Sequence, residues 1–151
     1  MDATSIDYNS CGLLLCGIDS LCSYNLHAMQ LMQPRQPIPQ VTAEDVERVA
    51  RRDFSADEYG TVMAALSEYG TEKWQREAAR VQLAALKVAN GSVQQLRACI
   101  ELAKRDYRDV LAAAEYPAYY KIGFQVRKLP AEEQSRIIHS DWRQYEEWLK
   151  R

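Results

Sequence analysis

The chain has 151 residues, of which 47% are hydrophobic and 26% charged. That length suits one domain, and that apolar share can build a core, which excludes a wholly disordered chain. Nineteen Lys and Arg against 21 Asp and Glu leave a net charge of -2. No segment builds a single-sign field: the net is -2 over 1–42, -2 over 43–91 and +2 over 92–151. Nucleic-acid binding by bulk counterion release is therefore not expected, nor is a polybasic membrane anchor.

Residues 1–41 read as a poorly structured extension that ends in a linker. They mix Ser, Asn, Cys and Gln without a sustained period and finish in Gln33-Pro34-Arg35-Gln36-Pro37-Ile38-Pro39-Gln40. Prolines at this spacing remove backbone donors and favour extended, polyproline-like chain. The apolar run Cys11 to Ile18 falls far short of the ~20 residues a membrane span requires. No Lys or Arg precedes it, so it lacks the basic flank of a signal peptide. Cys11, Cys16 and Cys22 do not match zinc-ligand spacings and read as free thiols of a cytoplasmic protein. One further expectation is that residues 1–41 are an upstream extension, or that the start is wrongly assigned and the real beginning is Met29 or Met32.

From Thr42 the pattern is helical, and residues 42–151 read as one helical domain. Thr42 can cap a helix over about 43–52, with Glu44 and Asp45 in its first turn. Ser55 and Glu58 have capping-box spacing for a helix over about 56–69, whose stripe is Tyr59, Val62, Met63, Leu66 and Tyr69. Thr71 can cap a third helix over about 72–90, with Trp74, Ala78, Val81, Ala85 and Val88 on one face. Asn90-Gly91-Ser92 marks a sharp turn, since Gly91 can adopt the left-handed conformation that closes a helix. The next helix, about 92–116, repeats apolar residues at Val93, Leu96, Ile100, Ala103, Tyr107, Val110 and Ala114.

So short a turn makes these two helices antiparallel neighbours. Pro117 ends the second, because the residue before proline is pushed out of the helical region. An aromatic patch follows at Tyr119, Tyr120 and Phe124. A last helix over about 130–150 carries Ile138, Trp142, Tyr145 and Leu149. The predicted fold is all-α: a small bundle built on a long antiparallel helical hairpin, about 72–90 and 92–116, with flanking helices.

No catalytic set is legible. A Gly-Lys-Ser/Thr phosphate loop is absent, as is a small-residue elbow around a serine. Neither His27 nor His139 follows a Glu by three residues, which excludes the helix-bundle di-iron pattern. No metal site and no cofactor are expected, and Cys99 reads as a buried, inert thiol.

Glu101, Arg105 and Asp109 lie four residues apart and can form a ladder of ion pairs on a solvated face. A sharper alternative is that Arg105 and Arg108, with Tyr116, Tyr119 and Tyr120, bind an acidic partner or anionic ligand, since arginine forks and tyrosine rings suit interfaces. Trp142 reads first as core and second as a protein contact.

The run Lys104-Arg105-Asp106-Tyr107-Arg108-Asp109-Val110-Leu111, closing in Glu115-Tyr116-Pro117, resembles the signature of a family of small all-α bacterial proteins without an assigned activity. Glu68-Tyr69-Gly70-Thr71-Glu72 fits the same pattern, and the similarity covers roughly residues 55–120. The resemblance implies a soluble, helical, bacterial protein and assigns no catalysis. A non-catalytic interaction or structural module is the expected role, with an unknown protein partner or a second copy of the chain as its ligand. The alternative is a small-ligand binder or enzyme with its site between the hairpin and segment 116–124.

Overall fold

A computed structural model describes residues 34–151. The expectations placed on the apolar run, on Cys11, Cys16 and Cys22, and on a start at Met29 or Met32 lie outside the described residues. The described chain is all-α. Its elements are α1 (Ala43–Asp53), α2 (Ala56–Ser67), α3 (Ala78–Ala89), α4 (Val93–Glu115), α5 (Pro117–Ile122), a 3-10 helix (Gly123–Lys128) and α6 (Ala131–Lys150).

The starts of the first two helices follow their caps. Thr42 accepts from the Asp45 N–H at 3.4 Å while the Asp45 carboxylate takes the Thr42 N–H at 3.0 Å. At α2, the Glu58 carboxylate accepts from both the Ser55 N–H (3.3 Å) and the Ser55 hydroxyl (2.7 Å).

The third helix begins later than its sequence pattern predicts. Gln75 Oε1 accepts from the N–H groups of Gly70 (2.8 Å) and Glu72 (3.1 Å), so a side chain satisfies donors that a helix would otherwise use. Glu77 then turns into the left-handed region at φ 54°, and α3 starts only at Ala78. Thr71 is therefore no cap. Trp74, expected on the apolar face, sits in the loop and is 51% exposed. Gly70 is fixed by the same loop: at φ +102° a Cβ would come within 2.9 Å of the Ala78 Cβ.

Helix α3 is the centre of the bundle. Val81, Leu83, Ala84, Ala85 and Leu86 are all fully buried, and a helix apolar on nearly every side has neighbours all round. It packs chiefly on α4 and also on α1. Gly91, at φ +81°, makes the turn between α3 and α4 beside the Asp53 carbonyl, where a Cβ would lie at 3.2 Å. Ser92 opens α4 by accepting from the Gln95 N–H at 3.3 Å.

The long helix is not one straight rod. An unbroken helix of 23 residues would carry Ala114 ~30 Å from the turn at Gly91. Yet Lys87, only four residues before that turn, donates from Nζ to the Ala114 carbonyl at 2.8 Å. The chain therefore bends back, and it bends at Asp106, whose φ of -150° and ψ of 98° are extended. Asp106 caps the second half: its Oδ1 accepts from the Arg108 N–H at 3.1 Å, two residues on.

This bend also dissolves the expected ladder, because Arg105 and Asp109 fall on either side of it. Lys104 takes the carboxylates instead, Glu101 at 2.6 Å and Glu68 at 2.7 Å, which ties α4 to the end of α2. Arg108 pairs with Asp106 at 2.6 Å. The α3–α4 hairpin is thus shorter than predicted, running from Ala78 through the first half of α4.

Helix α6 packs on α5 and α4, and its last turn is fastened to α1. Arg48 donates to the Leu149 carbonyl at 2.9 Å and Arg52 to the Trp148 carbonyl at 2.7 Å. Two cations thus meet the carbonyl-rich, negative end of a helix. No helix among the described residues is long and apolar enough to cross a membrane.

Candidate functional site

Segment 116–128 is shaped by one proline, one carboxylate and one glycine. Pro117 occupies the first turn of α5, where its missing N–H costs nothing. Asp141, buried on α6, accepts from the N–H groups of Ala118 (3.3 Å) and Tyr119 (3.0 Å). Gly123, at φ 61° and ψ -140°, ends α5 in a conformation side chains rarely adopt and opens the 3-10 helix.

These constraints set Tyr119, Tyr120, Phe124, Val126 and Arg127 across from Asp109 and Ala112 on the second half of α4. Between them runs a groove of about 480 Å³ with Tyr116 and Gln36 also in its lining. Phe124 is 84% exposed and Tyr120 48%. Arg127 holds its guanidinium 5.8 Å from the Phe124 ring centre.

Three of the six predicted site residues meet here: Tyr116, Tyr119 and Tyr120. Trp142 stands behind them, stacked on Tyr116 with ring centres 6.5 Å apart. Arg105 and Arg108 are not part of the groove. Both are exposed on α4, and the Arg108 fork is already taken by Asp106. The cation of the groove is Arg127, which sequence reasoning missed along with Asp109. The available signal was the spacing of Phe124, Val126 and Arg127 after a glycine, but their common side depends on the 3-10 winding.

The N-terminal proline stretch is held at this groove. The Tyr116 hydroxyl donates to the Pro37 carbonyl at 2.5 Å, Gln36 lines the groove and Pro39 is buried. Burial pushes the Tyr116 phenol well above its ordinary pKa; Glu115 adds to that and Arg80 opposes it. The phenol therefore remains a donor across the biological pH range.

Behind the groove lies a buried polar cluster. Arg80 forks onto Glu115, Nε to Oε1 at 2.6 Å and Nη2 to Oε2 at 2.5 Å, and also meets Glu77. Lys87 bonds the Ala114 carbonyl and Gln144 Oε1 (3.1 Å), and burial pushes its pKa down. Arg80 and Glu115 are paired within the fold and Lys87 is held by two neutral oxygens, which suits the three to structure. Tyr116, Trp142 and Tyr145 stack in sequence beside this cluster, and Trp148 continues the row at a tilt of 46°. Cys99 is buried, and burial raises its thiol pKa, so it is a poor nucleophile. Among the described residues no three His, Cys, Asp or Glu side chains gather as a metal site.

The described fold is therefore an all-α bundle, and one of its open features is an aromatic groove. No protein-family model, curated protein or solved structure matches the chain.

Proposed function

We propose that this chain is a non-catalytic interaction module that docks a polypeptide segment of another protein in the groove between α4 and residues 116–127. The observation that carries this reading is the concentration of exposed aromatic surface at one concave place: Phe124 and Tyr120, two of the most exposed large apolar side chains among the described residues, share one groove. Large rings concentrated at a depression favour contact with another chain, because burying them removes apolar area from water at about 25 cal/mol per Å². A small-molecule site would favour a more enclosed hollow with several polar groups aimed inward. Here Phe124 stands mostly in solvent and Arg127 lies against its ring.

The test compares the wild-type chain with Tyr120→Ala/Phe124→Ser, both exposed positions, as baits in extract of the source cell. A protein held by the wild type is identified, purified and rebound. Binding of that purified partner weakened at least about tenfold by the double variant supports the reading; undiminished binding removes it. Light scattering adds a second arm, since a dimer abolished by the same variant would assign the groove to a second copy instead.

A further inference from the structure

The rim of the groove already holds a polypeptide of recognisable chemistry. Pro34, Pro37 and Pro39 lie in a stretch with no regular hydrogen-bonded structure. Each proline fixes its own φ near -65° and steers the residue before it to extended conformations. Such a stretch keeps its carbonyls outward and has few N–H groups to offer, so a receptor must supply donors and flat rings. Tyr116 supplies a donor to the Pro37 carbonyl at 2.5 Å, from a ring braced by Trp142.

The rest of the groove repeats those means. Tyr119 and Tyr120 bring two further phenolic hydroxyls, neither with a hydrogen-bond partner among the described residues, and Phe124 brings an open ring face. Arg127 adds a cationic fork that makes no ion pair among the described residues. Aromatic-lined grooves with hydroxyl donors are a recurrent way of reading proline-rich segments, because such segments lose little entropy on binding.

We infer that the groove recognises an extended, proline-bearing segment of its partner, in the same chemistry by which Tyr116 holds Pro37. The inference rests on the docking reading above and narrows it to one class of ligand.

Fluorescence anisotropy with the full chain tests it. One labelled twelve-residue peptide carries three prolines at the spacing of 34, 37 and 39; its counterpart has alanine at those three places. The expected result is binding of the proline peptide at least about tenfold tighter than the alanine peptide, and its loss in Tyr120→Ala/Phe124→Ser with the helical circular dichroism spectrum retained. Equal binding of both peptides, binding of neither, or binding indifferent to the double variant overturns the inference. If a purified partner still depends on Tyr120 and Phe124 while the proline peptide does not bind, docking stands and only the ligand class is wrong.

Discussion

Arg80 on the central helix and Glu115 at the end of α4 form a forked ion pair whose carboxylate is 1% exposed. The pair fastens the returning half of α4 across α3. Removing Arg80 strands the buried Glu115 carboxylate, whereas an Arg80 left behind would keep Glu77, and the stranded charge costs about 3–5 kcal/mol. Arg80→Met is expected to lose that much in urea denaturation. The double change Arg80→Met/Glu115→Leu, which leaves no charge unpaired between the two helices, is expected to recover most of it.

Leu96 is fully buried where α4 leaves the Gly91 turn. Truncation deletes apolar contact and leaves a cavity, so Leu96→Ala is expected to cost about 2–5 kcal/mol. At about 4 °C per kcal/mol for a domain of a little over 100 residues, the melting temperature falls by ~8 °C or more. A thermal melt followed at 222 nm reads it.

Asp106→Ala separates a capped bend from a merely tolerated one. Alanine is the better helix former, so a helix kinked only by propensity would gain stability from the change. Because Asp106 caps the second half through the Arg108 N–H, the expected outcome is a loss of about 0.5–2 kcal/mol. The sign of the shift in denaturation midpoint decides.

Burial pushes the Tyr69 phenol up to about 12, with Tyr107 and Glu77 adding to the effect. The unfolded chain releases this proton near the ordinary value of 10.0 while the folded chain still holds it. The folded state thus binds more protons in that interval, and stability falls as pH rises. The contribution is complete below pH 10 and drains away between 10 and about 12. Denaturation midpoints measured across that range, in wild type and Tyr69→Phe, are expected to converge as the pH rises.

Asp141→Ala removes the acceptor for two backbone N–H groups at the start of α5. The expected cost is about 1 kcal/mol, felt locally. Hydrogen exchange at Ala118 and Tyr119 should accelerate while amides in the middle of α3 keep their protection.

Much of this architecture is legible in the sequence because it is local. Thr42, Ser55 and Ser92 sit where caps are needed, Gly91 where the chain must turn left-handed, and Pro117 where a helix must stop. The departures come from side chains that satisfy backbone groups out of pattern. Gln75 does so ahead of α3 and leaves Trp74 in a loop; Asp106 does so inside α4 and bends it. Aspartate at 106 with Asp109 three residues on is itself a start signal, masked here by an apolar repeat that runs through it without interruption. The groove was half legible for the same reason. Its tyrosines are dense in sequence, whereas its cation is Arg127 rather than Arg105 or Arg108, a placement that depends on the 3-10 winding after Gly123.

Helix α6 has separate duties at its middle and at its C-terminal end. Near its middle Asp141 grips the start of the segment that walls the groove, and two turns on, ~10 Å away, the carbonyls of Trp148 and Leu149 clasp the arginines of α1. A stiff rod anchored so at both places makes the first helix and the groove wall parts of a single mechanical frame. Force applied to either is carried to the other through one element, with no loop between to absorb it.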